Sequence, residues 1–560
     1  MNVIAATDYW ANIPIGEHLW LVSPMIVLVC TMLAVVTCPI LLGRRTRTIT
    51  AVVAIGVTAA FVMAIRVAMQ VADGGTSGLS TVSGSGMLII DNLSAGYQLL
   101  MLAFLGCVIG LWWIGSAATE RDAPEFFVLL LGSALGMVLM VSTSNLLMIV
   151  MAIEMASLPS YALVSFNKRD RAGAEGGLKY MIFGAICAAI MLYGASLLYG
   201  LAGSLNFADI AKMVALSFAG GGRDVVLVSV ALLCFFAGVA FKISAVPFHF
   251  WCPDAFQAAK IEVTTWLSVV SKAAGLILLV RLVAIFCGTV GAAGLMHTVE
   301  PIAWGIAIVA AITCTLGNIA AYRQRSVKRL LAYSSIAHAG YMLMATAVFI
   351  HPDVAGSEAG ISALLAYVLI YLFMNLGAFG VTAMVYWATG TDDIDAFTGL
   401  IRRAPALAIP MIICLMSLVG LPPFGGFLGK WWIWIALGRL DSTLGWFLIM
   451  VMGLNTVVSL YYYLRIVVRM TLRDDGQAAL RPSFGGMAMV NVCAIVLFPV
   501  MFIFANGFKS TADHFARRMF VPTADATVSA EPSVEGDHSA MADARVEDAT
   551  GHNDRDVKRP

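Results

Sequence analysis

The chain is poor in charge. Asp, Glu, Lys and Arg together make up 12% of its 560 residues, about half the share in an average soluble domain. That scarcity excludes a water-soluble globule, because too little polar surface would remain to face solvent. The net charge of +1 gives no electrostatic footing for nucleic acid. Cysteine is present but unpatterned. Its 10 copies are scattered, none in C-x-x-C spacing, so neither an iron–sulfur nor a zinc site is expected. Neither a G-x-G-x-x-G nor a Walker loop occurs, so no nucleotide site is expected. Met1 to Leu19 hold no Lys or Arg and so no basic n-region, and no cleavable signal is expected.

What is present is apolar length. Hydrophobic residues form 60% of the chain and mean hydropathy is +0.89, so lipid is the solvent. A spanning helix takes about 20 apolar residues. On that measure the sequence predicts an all-α polytopic membrane protein of about 14 transmembrane helices, at 20–42, 49–71, 93–116, 125–142, 144–166, 176–202, 225–251, 262–286, 300–322, 326–350, 360–388, 404–437, 443–468 and 487–507. The first loop carries Arg44, Arg45 and Arg47, and every second loop after it is basic. Those loops hold Arg121; Lys168, Arg169 and Arg171; Lys260; Arg323, Arg325, Lys328 and Arg329; Arg402 and Arg403; and Arg465, Arg469, Arg473 and Arg481. The intervening loops hold Lys212, Arg223 and Arg439, a split of 18 to 3. The basic side is then cytoplasmic and both termini lie outside. An amphipathic run from Phe207 to Val214 is expected along the outer surface. Residues 522–560, nearly free of large apolar groups, are expected to be a disordered polar tail.

Charge inside a span costs a few kcal/mol even on lenient scales and needs a reason. Glu154, Lys242, Lys272 and Lys430 lie well inside predicted spans, joined by His338. Three lysines and one glutamate cannot all pair among themselves, so static ion pairing does not account for them. Arg66 and Arg281, near span ends, are expected to snorkel to the headgroups. Prolines add breaks, since each leaves the carbonyl four residues earlier without its helical donor. Pro159 frees Met155, beside Glu154; as a packing kink it needs no further explanation. Pro247 frees Ile243, beside Lys242, and Pro422 and Pro423 free Leu418 and Val419. Broken helices seven and twelve carrying ionisable groups are how ion carriers build midplane sites. Ala-Val-Pro-Phe at 245–248 and Leu-Pro-Pro-Phe at 421–424 fall five spans apart. A five-helix repeat is odd in number, so its copies are inverted in the membrane. The expected organisation is a three-helix region at 1–124, repeats at 125–286 and 300–468 that each form a proton half-channel, a last helix at 487–507 and the tail.

The segments EMASLPSYALV, EGGLKYMIFGA, FKISAVPFHFWCPDAF, KRLLAYSSIAHAGYM, GLPPFGGFLGKWW and NTVVSLYYYLRIV together resemble the antiporter-like proton-channel family. Respiratory complex I and multisubunit sodium/proton antiporters share that family. The resemblance covers roughly residues 90–510 and is nearest the N-type branch. The M-type has a glutamate where Lys430 stands, and the L-type continues into a long lateral helix. By that resemblance Glu154, Lys242, Lys272 and Lys430 match the family's ionisable residues of helices five, seven, eight and twelve. Lys179 matches a basic residue at the start of helix six, where snorkelling is an equal alternative. The resemblance implies fourteen helices, inverted five-helix repeats and no redox cofactor bound by the chain, and the lack of a transit peptide points to a bacterial inner membrane. NADH, FMN, iron–sulfur clusters and quinone would belong to partner subunits, and the chain would move protons. A sodium/proton antiporter subunit and an assembly scaffold are the rival readings.

Overall fold

A computed structural model describes residues 19–73, 87–115, 122–167, 170–220, 223–292, 300–349, 354–473, 480 and 482–516. The tail expected at 522–560 lies outside the described residues. Regular structure among the described residues is helical, apart from isolated bridges. The first three helices are α1 (Ser23–Leu42), α2 (Thr46–Asp73) and α3 (Asn92–Gly115). Then come α4 (Ala123–Val141), α5 (Leu146–Val164) and α6 (Arg171–Ala202). The amphipathic run is α7 (Phe207–Gly220), longer than expected, with Phe207, Ile210, Ala211 and Val214 buried. That face packs on α8 (Arg223–Ile243) and α11 (Lys272–Ala292).

Between α8 and α11 lie α9 (Trp251–Ala258) and α10 (Ile261–Trp266), the latter joined to α11 by a π-helical turn at Leu267–Ser271. The second half of the chain comprises α12 (Glu300–Ala321), α13 (Val327–Phe349) and α14 (Val354–Thr389). It continues through α15 (Leu400–Arg403), α16 (Pro405–Val419), α17 (Gly425–Gly438) and α18 (Thr443–Leu472), and ends in α19 (Phe484–Ile495), α20 (Met501–Ile503) and α21 (Ala505–Ala516).

Among the described residues 11 helices are long and apolar enough to cross a membrane. The other three predicted segments fall on α13, on the broken pair α16 and α17, and on a C-terminal unit bent by 99° between Phe484–Val500 and Ala505–Ala516. Pro159 leaves α5 continuous, so it is a packing feature and not a break. The other two proline sites do end helices. α8 stops at Ile243, followed by Ser244 at φ +64°, and α16 stops at Val419, followed by Gly420 at φ +84°. Pro247, Pro422 and Pro423 lie on the exposed side of their breaks, whereas the neighbouring Lys242 and Lys430 point inward.

Two helical hairpins share one construction. Asn145 bridges Asn206, closing α5 and α6 at their ends, and Ser326 bridges Asp393, closing α13 and α14. Each hairpin is preceded by a helix that presses on its first member through glycine. A Cβ on Gly136 would sit 2.3 Å from the Ala156 nitrogen, and one on Gly317 would sit 2.6 Å from the Ala337 nitrogen. Neither site can hold a side chain without separating the helices. The α4–α5 contact places Ala156 two residues from Glu154, and the α12–α13 contact places Ala337 beside His338.

Candidate functional site

Lys242 closes the last turn of α8 and is fully buried. Its Nζ donates to Ser157 Oγ at 3.3 Å. Ser157 lies on α5 three residues after Glu154, a spacing that puts both on one side of the helix. Glu154, half-buried, interacts electrostatically with Lys242. The break after Lys242 is held from inside, because Trp251 Nε1 donates to the Phe241 carbonyl at 3.2 Å.

Lys272 follows the π turn and is also fully buried. Its Nζ donates to Ser335 Oγ of α13 and to Cys252 Sγ at 3.6 Å, and it lies 5.2 Å from the Phe256 ring centre. From Ser335 the polar groups continue. Ser334 is hydrogen-bonded to Tyr463 of α18, the Tyr463 hydroxyl lies 3.5 Å from His338 Nε2, and His338 Nδ1 lies 2.6 Å from the Tyr367 hydroxyl. His338 is buried and feels the charges of both Lys272 and Lys430.

Lys430 of α17 ends this line. Its Nζ donates to the Val419 carbonyl at 2.9 Å and to Thr456 Oγ1 at 3.2 Å, and lies 4.4 Å from the Tyr341 ring centre. Val419 is one of the residues whose carbonyl the paired prolines were expected to free. The lysine ammonium takes the place of the missing backbone donor. The partners of the three lysines are therefore hydroxyls, a thiol, a carbonyl and aromatic faces, which hold an ammonium without fixing its charge as a contact carboxylate would.

Two expectations fare differently. Lys179 is not brought to this line. Its side chain is 44% exposed, and it pairs with Glu175 at 2.8 Å and Asp254 at 3.0 Å. Arg281 does not snorkel. Both it and Asp91 are fully buried, joined by two hydrogen bonds of 2.7 and 2.9 Å, and Arg281 Nε donates to the Val141 carbonyl at 2.9 Å. An arginine whose three guanidinium nitrogens each have an acceptor inside the protein need not reach the headgroups. Arg66, by contrast, lies on an exposed face.

Sequence reasoning missed Ser157, Ser335, Tyr341, Tyr367, Thr456 and Tyr463. Ser157 was legible as the one-turn neighbour of Glu154. The tyrosines look like ordinary core aromatics until their hydroxyls find partners. Among the described residues no group of three or more His, Cys, Asp or Glu is placed to hold a metal.

A family profile described as NADH:quinone oxidoreductase/Mrp antiporter, TM, matches residues 143–458, which include every buried ionisable residue of this line. The NADH-quinone oxidoreductase subunit N of Anaeromyxobacter sp. (strain Fw109-5) is 39% identical over 400 residues, 68% of this chain and 75% of that protein. The chain belongs to the NADH-quinone oxidoreductase subunit N family. Subunit N 2 of Sorangium cellulosum (strain So ce56) is 39% identical over 422 residues, 74% of this chain and 81% of that protein. A chain of respiratory complex I from Thermus thermophilus, solved with bound aureothin, superposes with a TM-score of 0.70 at 28% identity, covering 88% of this chain and 99% of that one. A chain of the Mrp complex from Dietzia sp. DQ12-45-1b gives a TM-score of 0.73 at 19% identity, covering 89% and 97%, and shares the fold.

Proposed function

We infer that this multi-pass protein is a proton-translocating membrane subunit of NADH:quinone oxidoreductase, working beside other membrane subunits of that complex. The observation that carries this is the set of buried lysines, Lys242, Lys272 and Lys430, each contacted by neutral groups, together with the buried His338 hydrogen-bonded to the Tyr367 and Tyr463 hydroxyls. Glu154, Lys242, Lys272, His338 and Lys430 form the relay, and Lys179 is left outside it. A buried ammonium is disfavoured by desolvation and restored by a nearby carboxylate. When Glu154 is close, Lys242 keeps its proton; when Glu154 withdraws, the proton passes toward Lys272, His338 and Lys430. Water would bridge the gaps, and the buried Ser244 and Ser271 hydroxyls, without protein partners among the described residues, are polar enough to hold it. The relay supplies no energy, so redox chemistry must bias Glu154 and Lys242 from elsewhere. FMN, iron–sulfur clusters, NADH and quinone belong to partner subunits in this reading.

An inverted repeat at 125–286 and 300–468, within fourteen spans, fits a common offset of 181 residues (145 to 326, 136 to 317, 156 to 337) between the first bridging residue of each hairpin, the close-contact glycines and the alanines they touch; the second bridging residues, Asn206 and Asp393, are 187 apart. The alternation of basic loops supports both termini lying outside, and the bacterial subunit N relatives support a bacterial inner-membrane location. An Ala530→Cys variant should gain label from a membrane-impermeant thiol reagent in intact spheroplasts, above the background of the parent. Label gained only after lysis reverses the orientation.

The function is tested in inverted membrane vesicles. NADH should drive proton uptake in sodium-free buffer, and a quinone-site inhibitor should stop it. The rival antiporter reading makes the opposite prediction: a pH gradient that forms on adding sodium, with no NADH present.

A further inference from the structure

The short helix α9 has eight residues, about two turns, too short to be stable alone. It follows the break in α8, so its position depends on outside ties. Its inner side carries the Cys252 and Phe256 groups that touch Lys272. Its other side carries Asp254, the acceptor for two cations from different helices. Lys179 of α6 donates to Oδ2 at 3.0 Å, and Arg329 of α13 donates to Oδ1 at 2.6 Å. Arg329 also donates to Gln257 Oε1 at 3.0 Å, which is on α9 as well. These residues line a cleft of about 210 Å³ that opens beside the basic loops. Glu175 offers Lys179 a second carboxylate in the same cleft.

We propose that Asp254 is a positioning residue for proton transfer at Lys272, clamping α9 between α6 and α13 so that Cys252 and Phe256 stay on the lysine. The proposal rests on the relay reading above and gives Lys179 its place, as half of the clamp. One carboxylate shared by two cations holds three helices at one point. The ties run from the first expected repeat (α6, α9) to the second (α13), the same two bodies that Lys272 joins through Ser335. Releasing Asp254 still leaves α9 its Trp251 stack on Tyr180 at 4.1 Å, the Trp251 bond to the Phe241 carbonyl, the Arg329 bond to Gln257 and the Lys328 bond to the Ala259 carbonyl. The helix would then still dock, but with its inner face less fixed.

The test is Asp254→Asn in the intact complex, with Asp254→Glu as the charge-preserving control. Two quantities are read: proton uptake per NADH oxidised, and site-resolved labelling of Cys252 by N-ethylmaleimide. Cys252 is fully buried in the native chain. Asp254→Asn should raise its labelling about fivefold, the scale set by losing partly exposed ion pairs, and lower uptake about tenfold, since misplacement near a transfer group is costly. Asp254→Glu should recover at least part of both. Unchanged labelling overturns the proposal whatever uptake does, because a loss of uptake alone would make Asp254 a carrier and not a clamp. Normal uptake with raised labelling also overturns it. If Asp254→Asn does not accumulate, Lys179→Gln cuts one of the two ties and is read in the same way. Failure of the parent complex to take up protons would instead refute the function, while Cys252 labelling would still report on the clamp.

Discussion

Lys242→Ala yields a complex that assembles and oxidises NADH but passes protons through this subunit about a hundredfold more slowly, the loss expected when a proton-transfer group is removed. The side chain is fully buried, and alanine keeps α8 helical while removing the titrating atom. Glu154 is not left in apolar surroundings by this change, because it is half-buried and its neighbour Ser157 remains. A static pair predicts otherwise: alanine would mainly reduce the amount of folded protein, by stranding the carboxylate. An assembly scaffold with vestigial charges predicts unchanged proton uptake. Uptake in inverted vesicles, divided by the amount of assembled complex, separates the three.

Arg281→Met gives the largest loss of stability. The change leaves the Asp91 carboxylate fully buried without its guanidinium partner, which costs about 3–5 kcal/mol. Against a total stability of about 5–15 kcal/mol, such a loss depletes the folded population. Asp91 does more than pair, for its Oδ1 accepts the Ser94 N–H at 2.9 Å at the start of α3. Asparagine can keep that contact without the charge. The double variant Asp91→Asn with Arg281→Met should therefore recover most of the loss. Monodisperse subunit recovered from detergent, followed over a temperature ramp, measures both variants. Native recovery of Arg281→Met alone would show that the pair carries no weight.

The sequence displayed the buried charges and the helix breaks because the membrane makes each of them an exception. Lysine in an apolar run and proline in mid-span are visible without any neighbour, and the freed Val419 carbonyl follows from proline chemistry alone. Partners across helices were not visible. Asp91 and Arg281 are 190 residues apart, and apolar periodicity identifies which face is buried but not what it meets. Position near a span end suggested snorkelling for Arg281, yet the start of α3 brings a carboxylate to the same depth. Asp254 lies just past the span expected at 225–251 and carries no signal of its own, because its two cation partners meet it only when α6 and α13 converge on α9. The tyrosines that join His338 to its neighbours are indistinguishable from core aromatics until the hydroxyl partners are known.

The most direct measurement of the relay is NADH-driven proton uptake, normalised to assembled complex, in Lys242→Arg. Arginine keeps a positive charge at the end of α8 and can still donate to Ser157, so a residue that merely pairs would be replaced. Its guanidinium does not deprotonate in proteins, so a residue that must release a proton would not be. The relay predicts normal assembly with uptake reduced as far as in Lys242→Ala; near-native uptake by Lys242→Arg contradicts it.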